Sequence, residues 1–180
     1  MASGMAQRLG ATRAAALALA AAAGAALGTA LASEAWGGLV PCALCLWERW
    51  PYRILIALGL LALALPARAA RAVLGLAALV ALGGAGLGLT HVGVEQGWWP
   101  SPLPECAAPQ LGGGTVAERL ARMPARPAKP CDEPVLLVPG VPVSMAAMDL
   151  GLALGIALAL GGFLAMSAGR QPPARREAAP

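Results

Sequence analysis

The four cysteines of this 180-residue chain, Cys42, Cys45, Cys106 and Cys131, carry its most evident chemistry. Cys42 and Cys45 form a C-x-x-C, whose four-residue ring constrains almost nothing when oxidised and is usually reactive. Cys106 and Cys131, if paired, would close a loop of about 26 residues worth about 3.5 kcal/mol in unfolded-chain entropy, so a structural staple suffices to explain them. Zinc suits the set poorly. One C-x-x-C with two isolated cysteines lacks the paired knuckles of a zinc ribbon, and no metal is expected.

The elements that hold these residues follow from composition. The chain is 58% hydrophobic and only 12% charged, with mean hydropathy +0.68. A soluble domain carries about 25% charged residues and a disordered chain has few apolar ones, so both classes are excluded. What remains is an all-α integral membrane protein. Uncharged runs of 19 residues at 14–32, 72–90 and 150–168 each reach about 28 Å as helix, enough to cross a hydrocarbon core of about 30 Å. A fourth apolar run, Ile54 to Leu65, is too short alone. It spans only when extended back to about Leu46, which draws Arg49 and Arg53 into the membrane or its interface.

The expected architecture is therefore a single membrane domain, a four-helix bundle over residues 1–180. Its spans fall at about 14–32, 46–65, 72–90 and 146–168, with exported loops at 33–45 and 91–143 and a cytoplasmic tail at 169–180. The net charge of +4 does not point to nucleic acid, because seven of the thirteen basic residues lie in the two tails and one short loop: Arg8, Arg13, Arg68, Arg71, Arg170, Arg175 and Arg176. The exported loops hold Glu34, Glu95, Glu105, Glu118, Asp132 and Glu133. The positive-inside rule places both termini in the cytoplasm and all four cysteines at the exported side, in contact with membrane lipid and an oxidising compartment. Arg8, Arg13 and the Ala30-Leu31-Ala32 triplet also fit a signal peptide, but the apolar run exceeds a usual 7–15-residue core and is expected to remain as a helix.

Finer signals follow. Gly24/Gly28, Gly84/Gly88 and Gly151/Gly155 are G-x-x-x-G pairs suited to close helix approach. The second exported loop is rich in proline and glycine, apart from a capping box at Thr115 and Glu118 that starts a short helix to about Met123. Trp50, Trp98 and Trp99 fall where indole rings anchor at the exported interface. At the start of the second span, Cys45 occupies a first helical turn, where free N–H groups and the helix dipole stabilise a thiolate. Arg49 and Arg53 follow at i+4 and i+8. A guanidinium held near apolar surroundings is a functional candidate; that role is expected of Arg49, and snorkelling of Arg53. A thiolate beside a cation at the membrane edge is able to attack an electrophile dissolved in lipid, such as a quinone, with Arg49 stabilising the developing charge. His91, the only histidine, ends the third span on the same side; it suits a hydrogen bond to the ring, a proton shuttle, or simple filler.

The segment Pro41-Cys42-Ala43-Leu44-Cys45-Leu46-Trp47-Glu48-Arg49 resembles the P-C-x-L-C-x-x-x-R signature of the disulfide-bond-formation protein B (DsbB) family, and the resemblance extends to nearly the whole chain. It implies an inner-membrane thiol oxidase with quinone, ubiquinone or menaquinone, as cofactor. Its implied partner is a DsbA-like periplasmic thioredoxin-fold protein. Cys106 matches the cysteine that forms the mixed disulfide with that partner. Cys131 matches the one that exchanges with Cys42, freeing Cys45 to engage quinone, with Arg49 and His91 near the ring. Two other readings compete: a vitamin K epoxide reductase-like enzyme, in which the C-x-x-C follows the loop pair, and a membrane scaffold with two structural disulfides.

Overall fold

A computed structural model describes residues 2–106, 115–121, 129–137 and 140–168. The tail at 169–180, the Gly112–Gly114 run and the Arg122 to Pro127 stretch lie outside the described residues. Among the described residues five α-helices run in chain order: α1 (Ala2–Ala35), α2 (Ala43–Ala64), α3 (Ala67–Glu95), α4 (Val116–Ala121) and α5 (Met145–Ala168). A 3-10 turn, Pro104–Cys106, precedes α4. Among the described residues there is no sheet, only an isolated antiparallel bridge between Leu136 and Ser144.

The four long helices form the bundle. Three of them, over Leu9–Ala35, Ala67–Glu95 and Met145–Ala168, are long and apolar enough to cross a membrane. α2 is long enough, but Glu48, Arg49 and Arg53 in its first half keep it from qualifying by composition. It packs along both α1 and α3 and is joined to α3 through Leu65 and Pro66 alone. Leu65 (ψ 154) and Pro66 (ψ 152) are both extended, the conformation favoured before a proline, so the chain reverses sharply there. The loop expected to hold Arg68 and Arg71 is thereby absorbed into the first two turns of α3.

α3 also runs past His91, where its span was expected to end. The backbone continues through Val92-Gly93-Val94 because those residues still pack inward. It stops at Gly97, which adopts φ +70. The Trp98 N–H bonds the Gly93 carbonyl at 2.8 Å and the Gly97 N–H bonds that of Val94 at 3.1 Å, a Schellman ending that requires a left-handed residue. The Trp99 ring packs directly against Gly93, leaving no room there for a side chain.

Helix contacts follow the order α1–α2–α3–α5, with α1 and α5 scarcely touching. Small residues set the close approaches. A Cβ on Gly84 would lie 3.1 Å from Pro51 Cβ, and one on Gly88 would lie 3.0 Å from Leu150 Cα. Gly24, Gly28, Gly151 and Gly155 face open space instead. One of the three G-x-x-x-G pairs is therefore a packing contact. A further close contact falls at Gly59 against Ala16 and Ala20, with no such pair to mark it.

Candidate active site

Pro41 and Cys42 are the last extended residues before α2. Cys42 is the N-cap, with φ −79 and ψ 173, and its sulfur accepts the Cys45 N–H at 3.2 Å. Free N–H groups at a helix start favour a negative acceptor. Here they favour Cys42, not Cys45 as the sequence reading had it, because the N-cap side chain lies nearest the unpaired donors. The two sulfurs are 2.9 Å apart. The hydrogen bond from the Cys45 thiol, followed by backbone N–H donation, holds the Cys42 thiol below its ordinary value of 9.0, against the opposing effects of burial and the Glu48 charge.

Behind Cys42 lies a buried chain of polar groups. His91 Nε2 is 3.5 Å from the Cys42 sulfur, and His91 Nδ1 is 2.9 Å from Glu48 Oε1. His91 is 2% exposed and Glu48 7%. With Nδ1–H donated to the carboxylate, Nε2 is left to exchange a proton with the thiol. That is the arrangement of nucleophile, base and orienting acid found in activated thiols. Charged groups inside an apolar bundle persist only when paired, and Arg49 obeys the same rule: its Nη1 meets Glu34 Oε2 at 2.9 Å. Arg53 points outward, its guanidinium 5.0 Å from the centroid of the Trp50 ring, which fits an interfacial anchor.

The second cysteine pair is a disulfide, Cys106–Cys131, whereas Cys42 and Cys45 are free thiols. The structure thus holds one disulfide and one dithiol. Cys42, Leu44, Val94, Cys106 and Cys131 form one buried cluster. Cys131 thus packs in the same cluster as Cys42, the cysteine it is expected to exchange with. Cys106 is 5% exposed.

On the other side, the weak α1–α5 seam opens into a cavity of about 420 Å³. Cys45 and Arg49 line it, as do Glu34, Glu48, Tyr52 and Asp149, with apolar walls from Ala26, Met148 and Leu152. Cys42 and His91 are not among the lining residues. Two buried polar atoms at this site have no hydrogen-bond partner, Arg49 Nε and Asp149 Oδ2. Tyr52 donates its hydroxyl to the Asp149 main-chain oxygen at 3.3 Å. Glu34, Glu48, Tyr52 and Asp149 are thus site residues that motif reading passed over. The available signal was an acid near the start of each of two spans, Glu48 in the second and Asp149 in the fourth.

A bundle that gathers exchangeable sulfurs at one end belongs to the class of multi-pass membrane proteins that work by thiol–disulfide chemistry. The family model of disulfide bond formation protein DsbB matches residues 12–163. The chain belongs to that family, whose membership implies a thiol oxidase of disulfide bond formation. No curated protein and no solved structure matches it.

Proposed function

We propose that this protein re-oxidises a DsbA-like periplasmic thioredoxin-fold protein and delivers the electrons to a membrane quinone. In this reading it lies in the bacterial inner membrane with both termini cytoplasmic and its cysteines on the periplasmic side. The observation that carries the proposal is the division of labour within the C-x-x-C: Cys42 packs with the Cys106–Cys131 disulfide, while Cys45 lines the cavity beside Arg49. A cavity of this size, apolar with a few convergent polar groups, suits a small planar ligand. The orphaned Arg49 Nε and Asp149 Oδ2 suit the two kinds of oxygen such a ligand presents, acceptor when oxidised and donor when reduced.

The residues divide the work in sequence. A partner thiolate attacks the Cys106 sulfur, forming a mixed disulfide and releasing Cys131 as thiolate. Cys131 attacks Cys42 of the oxidised C-x-x-C, which releases Cys45. The partner's second thiolate then resolves the mixed disulfide and frees Cys106, whose attack on Cys131 frees Cys42. The dithiol is left with two electrons and two protons. A quinone held beside Cys45 and Arg49 would supply the acceptor for those two electrons and two protons, the Cys42–Cys45 disulfide re-forming as they leave. His91 moves the Cys42 proton under the orientation set by Glu48, Arg49 holds its positive charge beside Cys45, and the apolar walls exclude water.

The test uses purified full-length protein in detergent with a reduced thioredoxin-fold partner and a soluble quinone. Cys45→Ser is expected to abolish quinone reduction. Cys106→Ser is expected to block partner oxidation while the C-x-x-C disulfide still forms. Full activity of Cys45→Ser would overturn the reading.

A further inference from the structure

The reduced C-x-x-C has a geometry that electron transfer does not require. The sulfurs of Cys42 and Cys45 and the ring nitrogen of His91 all lie within 4.8 Å of one another. Tetrahedral zinc, with Zn–S about 2.3 Å and Zn–N about 2.0–2.1 Å, sets its sulfur and nitrogen ligands about 3.5 Å apart and two sulfurs slightly farther. The Cys42–His91 separation of 3.5 Å already meets that edge. The two sulfurs, at 2.9 Å, need to part by less than about 1 Å. Cys45 has room to supply that movement, since it borders the cavity while Cys42 is fixed by its capping bond.

The surroundings favour the same ligand set. A metal-bound histidine usually gives its other ring N–H to a carboxylate, which fixes the tautomer and raises the basicity of the ligating nitrogen. Glu48 stands in that position at 2.9 Å. Two thiolates balance a divalent charge inside an apolar bundle, and the cavity beside Cys45 leaves a fourth position open to water.

We propose that the reduced protein captures one thiophilic divalent cation, Zn²⁺ or Cd²⁺, on Cys42, Cys45 and His91, and that capture holds it out of the redox cycle. Two S–H bonds give way to two metal–sulfur bonds, two protons leave to solvent, and no electrons move. Oxidation of the pair removes both sulfur ligands, so cation and disulfide exclude each other. The cation is an inhibitor gated by redox state, not a resident cofactor.

The experiment titrates Cd²⁺ into full-length protein reduced and then freed of reductant, reading the ultraviolet thiolate-to-cadmium charge-transfer band. One equivalent is expected to bind, and the Cys106→Ser/Cys131→Ser double variant is expected to bind equally well. Oxidised protein is expected to give no band. Glu48→Gln is expected to weaken affinity about 10–100-fold, and His91→Ala at least as much, with Arg53→Ala unchanged. No band with reduced protein would overturn the proposal, as would equal binding after oxidation. Affinity unaltered in both Glu48→Gln and His91→Ala would also overturn it, by reducing the site to a bare dithiol. The readout needs no quinone, so failure of the quinone reading and failure of this one are separate results.

Discussion

At the residue scale, the site turns on which of two adjacent sulfurs carries the negative charge. Cys42 takes it because it caps α2 and receives the Cys45 N–H. Its thiol is held below 9.0, so the thiolate persists as pH falls through the range where an ordinary cysteine is protonated. Alkylation of Cys42 by iodoacetamide, followed by mass spectrometry across pH, is expected to show a midpoint below 9.0. Cys45→Ala removes the largest stabilising contact and is expected to shift that midpoint upward; an unchanged midpoint would assign the effect to the backbone alone. Arg49 and Arg53 differ in the same concrete way. One is buried against Glu34 at the cavity and the other lies over Trp50 in the open. Arg49→Ala is expected to raise the apparent KM for quinone by about 10-fold or more, the scale of a lost hydrogen bond to a charged group. Arg53→Ala is expected to leave it within about 2-fold, since exposed charges contribute little.

At the element scale, the close α3–α5 approach is set by Gly88 against Leu150, that of α2 and α3 by Gly84 against Pro51, and the α1–α5 seam is not closed. Gly88→Leu forces a side chain into Leu150 and is expected to destabilise the bundle by about 1–3 kcal/mol, the usual cost of overpacking, as read from thermal unfolding in detergent. A Cβ on Gly155 meets no neighbour within 4 Å, and Gly155→Leu is expected to leave stability unchanged. Gly155 does line a second cavity, of about 290 Å³, whose walls share Ala22 and Leu152 with the first. If an isoprenoid tail lies along this seam, Gly155→Leu raises KM for long-tailed quinones while sparing tail-less ones. Much of this architecture was readable beforehand. Long uncharged runs leave a chain few options in a membrane, and the four helices and the all-α class follow from them. Their ends did not follow, because Pro66 and the Gly97 Schellman ending decide where helices stop, and neither is a matter of hydropathy. The site was legible in its sulfurs, in Arg49 and in His91 as residue types. The Glu48–His91 and Glu34–Arg49 pairs were not, since each joins residues on different helices that no local spacing connects.

At the scale of the whole molecule, the site occupies the end where α1 and α3 finish and α2 and α5 begin. In the proposed topology that end faces the periplasm, as the positive-inside pattern suggests. An impermeant maleimide added to intact spheroplasts is expected to label Gln96→Cys and to miss Arg68→Cys, both at exposed positions; the reverse would invert the topology. The bundle closes on three sides, and the fourth, between α1 and α5, stays parted down two cavities. Such a gap gives directly onto the surrounding acyl chains, so an oil-soluble reactant arrives sideways without ever crossing water. Under the proposed function, turnover is expected to follow how crowded that reactant is within the plane of the bilayer, so that diluting a fixed amount of it with inert lipid slows the protein as surely as withholding substrate.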